Sequence, residues 1–187
     1  MRKTLQILAA TAVAIAAVTV PAAHAGVKAH ATQAADCGAI NAQPGDATPG
    51  EIRSATVCLI NIERNRRGKS DLRSNTSLVK VASKYSRQMV DGGFFDHVSP
   101  GGSDLSDRIR KTSYLRGSRS WALAENLAWG TGGRATPRQT VAAWMNSTGH
   151  RANILNGKLR DIGIGVAEGT PGYGSDGATY TADFGRH

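Results

Sequence analysis

The chain is predicted to fold as an α+β domain, with its helices first and its small sheet last. Cap signals ahead of two helical segments, helical spacing of apolar side chains through the first two thirds, and strict alternation between residues 162 and 184 predict this. Thr48-Pro49-Gly50-Glu51 supplies a cap, a proline at the first helical position and a glutamate three residues after the cap. Ile52, Ala55, Leu59 and Ile62 then recur on one helical face, and Gly68 ends the segment. Leu78, Ala82, Tyr85 and Met89 form the stripe of a second helix, stopped by Gly92-Gly93. A shorter helix is expected over residues 104–111. Thr136-Pro137-Arg138-Gln139 repeats the cap pattern ahead of Val141, Trp144 and Met145.

The strands read differently. Ile162, Ile164 and Val166 alternate with Gly163 and Gly165, giving one apolar face and one bare face that another element can approach closely. Ala178, Tyr180, Ala182 and Phe184 alternate with Thr179, Thr181 and Asp183. The loop-like residues 168–177 between the two runs predict an antiparallel hairpin.

The N-terminus addresses the chain for export. Arg2 and Lys3 precede an uncharged apolar stretch over residues 5–20, and Ala23-His24-Ala25 places small residues where a signal peptidase reads. Residues 1–25 are therefore expected to be a cleaved signal peptide, residues 26–47 a flexible linker, and residues 48–187 one folded domain. The apolar run is short for a stable transmembrane anchor. Cleavage removes two basic residues from a formal net charge of +9, leaving +7. A basic exported protein points towards lipid headgroups or anionic cell-envelope polymers, and export argues against nucleic acid. The basic runs over residues 64–69 and 108–111 read as solvated helix faces. Cys37 and Cys58, in an oxidising compartment, favour one disulfide, with about 3 kcal/mol of chain-entropy stabilisation. The domain is expected to be a monomer.

Three places could carry chemistry. His97 precedes Val98-Ser99-Pro100, Glu125 lies in the small, apolar stretch Ala124-Glu125-Asn126-Leu127-Ala128, and His150 follows Gly149 just past a helix end. Each has a plain structural alternative: a loop hydrogen bond, a carboxylate tying amides together, the start of another helical turn. Together, two imidazoles and one carboxylate suit zinc or another divalent metal with an open position for water. Ser99, Asn126 and Ser147 are further cleft-lining candidates. No Gly-x-Ser-x-Gly elbow is present to support a serine hydrolase.

These stretches occur in an order that resembles the CAP superfamily, which comprises the cysteine-rich secretory proteins, antigen 5 and pathogenesis-related protein 1. The match is strongest to its bacterial SCP-like extracellular branch. The residues carrying it are Phe95-Asp96-His97-Val98-Ser99-Pro100, Ala124-Glu125-Asn126-Leu127-Ala128, Ala143-Trp144-Met145-Asn146-Ser147, Gly149-His150-Arg151-Ala152-Asn153-Ile154-Leu155, Asp161-Ile162-Gly163-Ile164-Gly165-Val166 and Tyr180-Thr181-Ala182-Asp183-Phe184-Gly185. The resemblance implies an α-β-α sandwich around an antiparallel sheet. It also implies a cleft of two histidines and two glutamates that binds a divalent metal in some members. His97, Glu125 and His150 match the first histidine, first glutamate and second histidine. Ser147 stands where the second glutamate is expected, and no Asp or Glu occurs between Glu125 and Asp161. Two functions follow as expectations. One is an extracellular module binding a lipid or envelope component. The other is a metal-assisted hydrolase in which Glu125 is either a third ligand or the general base.

Overall fold

The computed structural model describes residues 36–187. The expected signal peptide and the first part of the expected linker lie outside the described residues. The elements run α1 (Pro49–Asn65), β1 (Arg73–Ser74), α2 (Thr76–Gly92), α3 (Leu105–Arg110), β2 (Ala122–Gly130), a single 3-10 turn (Gly132–Ala135), α4 (Pro137–Asn146), α5 (Thr148–Ile154), β3 (Asp161–Thr170) and β4 (Gly174–Arg186).

The cap chemistry places the long helices. The Thr48 side chain accepts from the Glu51 N–H, and the Glu51 carboxylate accepts in return from the Thr48 N–H at 2.8 Å. Asn75 caps α2 by accepting from Ser77 and Leu78, and Gly93 closes it in the left-handed conformation at φ 63°. The cap of α4 is half formed: Thr136 accepts from Gln139, without a reciprocal bond. Ile60, not Ile62, completes the buried face of α1; Ile62 is half-buried.

The sheet order is β1-β3-β4-β2. β3 and β4 form the expected hairpin, but both strands run further into the connecting segment than the alternation showed, leaving a short turn and an irregularity between Glu168 and Thr170. β2 pairs antiparallel with β4, and the two-residue β1 adds in parallel to β3, so the sheet is mixed and not purely antiparallel. One face buries Ile162, Ile164, Tyr180, Ala182 and Phe184 against α1, α4 and α5, with Trp144 donating its indole N–H to the Leu127 carbonyl. The other face lies against α2 and α3. Helices on both faces make the α-β-α sandwich.

The bare face of β3 explains how α2 seats. A Cβ on Gly163 would collide with the backbone of Leu78 and Val79, and one on Gly165 with that of Ala82 and Ser83. Helix and strand backbones are thus in direct contact, and neither can yield without moving the whole helix. Gly165→Ala is expected to cost about 3 kcal/mol or more in urea unfolding, at the upper end of overpacking penalties. A loss below about 1 kcal/mol would contradict the contact.

The disulfide Cys37–Cys58 is present, with Cα atoms 5.6 Å apart. Cys37 and Ile40 are buried in the main core, and the Ile40 carbonyl accepts from the Arg138 N–H. Within the segment expected as linker, residues 37–40 are held against the domain by the cross-link and the Ile40 side chain.

Candidate functional site

β2 was not apparent as a strand, since its small side chains do not alternate in polarity. Yet it organises the site. Along a strand, neighbours point to opposite faces. Glu125 therefore faces the α2 and α3 layer, while Asn126 faces α4 and α5. Asn126 is fully buried and donates to the His150 carbonyl at 3.0 Å. Asn153 donates to Asn126 Oδ1 at 2.9 Å and to the Glu125 carbonyl. The pair fastens α5 to the strand.

On the other face, His97 Nδ1 lies 2.8 Å from Glu125 Oε1. Arg108 donates to Glu125 Oε2 at 2.6 Å. Arg108 also donates to the carbonyls of His97 and Ser103, both at 3.0 Å, so one guanidinium ties the His97 loop to the carboxylate. Its planar head lies 3.4 Å above the Tyr85 ring, and Tyr85 in turn donates its hydroxyl to the Asp96 carbonyl at 2.7 Å. Burial first, and then the Glu125 and Asp96 charges, outweigh the opposing pull of Arg108 and push the Tyr85 hydroxyl up to about 12, so it stays a donor. The His97 loop is thereby pinned from two sides, with its ring still 57% exposed.

Asp183 is the second carboxyl of the site. It stands directly across from Glu125 in the β2–β4 register, is completely buried, and neither of its oxygens has a hydrogen-bond partner among the described residues. Burial first, and then the neighbouring Glu125 charge, hold its proton well above the usual carboxylate range. His97 shifts upward, chiefly through its hydrogen bond to Glu125. His150 shifts downward, through burial first and then the charge of His97.

Of the three expected site residues, the fold joins two. His97 and Glu125 are in contact. His150 lies just past the end of α4, within the short α5, and is near enough to feel His97, but its ring makes no hydrogen bond among the described residues. No three His, Cys, Asp or Glu side chains among the described residues converge on one point. Both Glu125 oxygens already accept a hydrogen bond, one from an imidazole and one from a guanidinium, so an ion held by all three residues would compete with those contacts. Ser99 accepts from the Ser103 N–H and lines a separate groove. Ser147 joins α4 to α5, and Asn126 is structural; none of these three lines the cleft at His97. That cleft, about 350 Å³, is bordered by His97, Val98, Asp104, Leu105, Ser106, Trp121, Leu123 and Glu125. Val98 and Trp121 are exposed apolar side chains at its rim.

Two residues of the site escaped the sequence reading. Arg108 belongs to a basic run taken for a solvated face, yet it is buried, as is Arg64 in the other run. Arg108 precedes Ile109 and follows Leu105 at helical spacing, which places it on the inward side of α3. Asp183 belongs to the polar half of an alternating strand, and only the packing of α2 on that face makes it interior.

Comparison with known proteins agrees with this architecture. The profile of the cysteine-rich secretory protein family, CAP, matches residues 57–184. The chain is 38% identical over 112 residues to the uncharacterized protein YkwD of Bacillus subtilis (strain 168), covering 60% of this chain and 41% of that protein. It is 32% identical over 110 residues to the uncharacterized membrane protein YlbC of the same strain, covering 58% and 29%. The chain thus spans less than half the length of either relative. An extracellular SCP-domain protein from Bacillus anthracis superposes with a TM-score of 0.59 at 28% identity, over 75% of this chain and 44% of the other. An outer surface protein from Borrelia burgdorferi gives 0.57 at 23% identity, over 69% and 87%, a likeness of fold alone. No helix among the described residues is long and apolar enough to cross a membrane. A family profile spanning most of the domain, joined to the same sandwich in solved relatives, shows that this chain belongs to the CAP, or cysteine-rich secretory protein, family.

Proposed function

We propose that the protein is an exported binding module that takes a lipid or anionic envelope component at the His97 cleft, and that it is not a metal-assisted hydrolase. The state of Glu125 carries this reading. A general base needs a carboxylate oxygen free to accept a proton, and a metal ligand needs one free to coordinate. Glu125 would have to share: His97 and Arg108 already hold its two oxygens at 2.8 and 2.6 Å, so either role competes with bonds that pin the His97 loop. The Glu125 hydrogen bond instead favours the protonated form of His97, in a cleft that Val98, Trp121 and the Asp104 carboxylate also line. A cation flanked by exposed apolar side chains suits an amphiphilic anion.

The test uses the purified protein with anionic lipid vesicles and with isolated envelope polymer. One of the two is expected to bind, and His97→Ala together with Trp121→Ala is expected to weaken that binding about tenfold, the loss of a charge-assisted hydrogen bond. Zinc is expected to leave the thermal midpoint unchanged. Zinc stabilisation that disappears in His97→Ala and His150→Ala, with turnover of an ester or peptide panel, would instead establish the hydrolase.

A further inference from the structure

On the far side of Arg108 from the cleft lies a second groove, about 530 Å³, between α2 and the segments flanking α3. Lys80 and Lys84 occupy its α2 wall one helical turn apart, Lys111 faces them, and Val81 and Ser103 line it with Arg108. No carboxylate lines it. The three lysines are exposed and have no ion-pair partner among the described residues. Like charges four apart on a helix repel, so the arrangement works against the fold that carries it. Two buried polar atoms of lining residues are also unsatisfied: the Nε of Arg108, a side chain only 8% exposed, and the Oγ of Ser103. Native interiors seldom leave such atoms unpaired, so these two, just beneath the groove wall, add polarity there that no protein group answers.

We propose that this groove binds a phosphate ester. Three of the five N–H donors of Arg108 are spent on Glu125, His97 and Ser103 and its Nε is buried, so recognition at the groove falls to the lysines. What remains is three ammonium groups, compact point charges suited to a tetrahedral anion, with serine hydroxyls beside them for a polyol and Val81 for a carbon chain. The volume fits a headgroup-sized molecule. The phosphate is that of a phospholipid headgroup or of a free polyol phosphate. This site is separate from the His97 cleft and does not depend on what the cleft binds.

Two probes distinguish the sources: glycerol 3-phosphate against glycerol, and phosphatidylglycerol vesicles against phosphatidylcholine vesicles. Amide NMR of the purified protein should show saturable shifts at Lys80, Lys84, Ser103 and Lys111 with the charged probe of at least one pair. Binding of glycerol 3-phosphate assigns a free polyol phosphate, and binding of the vesicles alone assigns a lipid headgroup. Lys80→Glu with Lys84→Glu, or the milder alanine pair, is expected to weaken binding about tenfold or more. Lys69→Glu with Lys158→Glu makes the same change in net charge elsewhere and should leave binding intact. The proposal is overturned if neither charged probe binds, if the remote pair of substitutions weakens binding equally, or if the shifts map to the His97 cleft. A silent cleft with a responsive groove would sink only the cleft reading, and the converse only this one.

Discussion

Arg108→Met is expected to lower the stability of the domain by about 3–5 kcal/mol, the usual cost of leaving a buried charge without its partner. The side chain is buried, and its head satisfies three acceptors: the Glu125 carboxylate and the carbonyls of His97 and Ser103. Methionine fills much of the volume against Tyr85 but answers none of them. Glu125 would then retain only the exposed His97 ring as a counter-charge, with the buried Asp183 carboxyl still beside it. Adding Glu125→Gln should recover a large part of the loss, because the double variant no longer buries a lone charge. The single Glu125→Gln should also be destabilised, since it strands Arg108. The four proteins form a cycle whose coupling, read by urea unfolding, should be well above 1 kcal/mol. Lys111→Met, in the same basic run but exposed, should change stability by less than about 0.5 kcal/mol. Equal, small effects at both positions would return Arg108 to a solvated face. Without the guanidinium the His97 loop also loses one of its anchors, so ligand binding at the cleft should weaken beyond what unfolding explains.

The contrast between Arg108 and Lys111 shows where sequence reading reaches its limit. Helix positions followed from caps and apolar spacing, and the glycines of β3 announced the close approach of another element before any partner was visible. Those signals are local, carried by neighbours in the chain. The expected site was half legible: His97 and Glu125 meet, but the face to which a side chain on β2 points depends on the pairing of Glu125 with Asp183, residues far apart in sequence. A strand of small residues such as Ala124, Asn126 and Ala128 has no alternation to declare which side is inward. Arg108 and Asp183 were hidden for a related reason. Each looks solvent-facing by type, and each is interior because an element from elsewhere covers it. The packed segment at Cys37 and Ile40 was concealed by its composition, since two apolar contacts and a cross-link suffice to hold a stretch with no periodicity.

The buried carboxyl at position 183 gives the other large effect, one that depends on pH. In the folded protein its proton is held well above the ordinary carboxylate range by burial and by Glu125, whereas in the unfolded chain it titrates near 4. The folded state therefore binds this proton more tightly. The resulting stabilisation is complete below about pH 4 and is lost as pH rises towards the folded-state value, at about 1.4 kcal/mol per pH unit. Asp183→Asn removes the titration while keeping the shape. The variant should therefore gain on the wild-type protein as pH rises above about 4, by a slope near that value until the folded-state value is reached, in urea unfolding at successive pH values. Taking the difference between the two proteins cancels groups common to both, His97 included. Parallel stability curves would mean that Asp183 is ionised in the fold and has found a counter-charge. If the gain appears, the cluster holds one carboxylate charge, on Glu125, shared by Arg108 and His97. That balance keeps a cationic imidazole at the cleft without burying a second anion, and His97 should retain its raised midpoint in Asp183→Asn when followed by NMR.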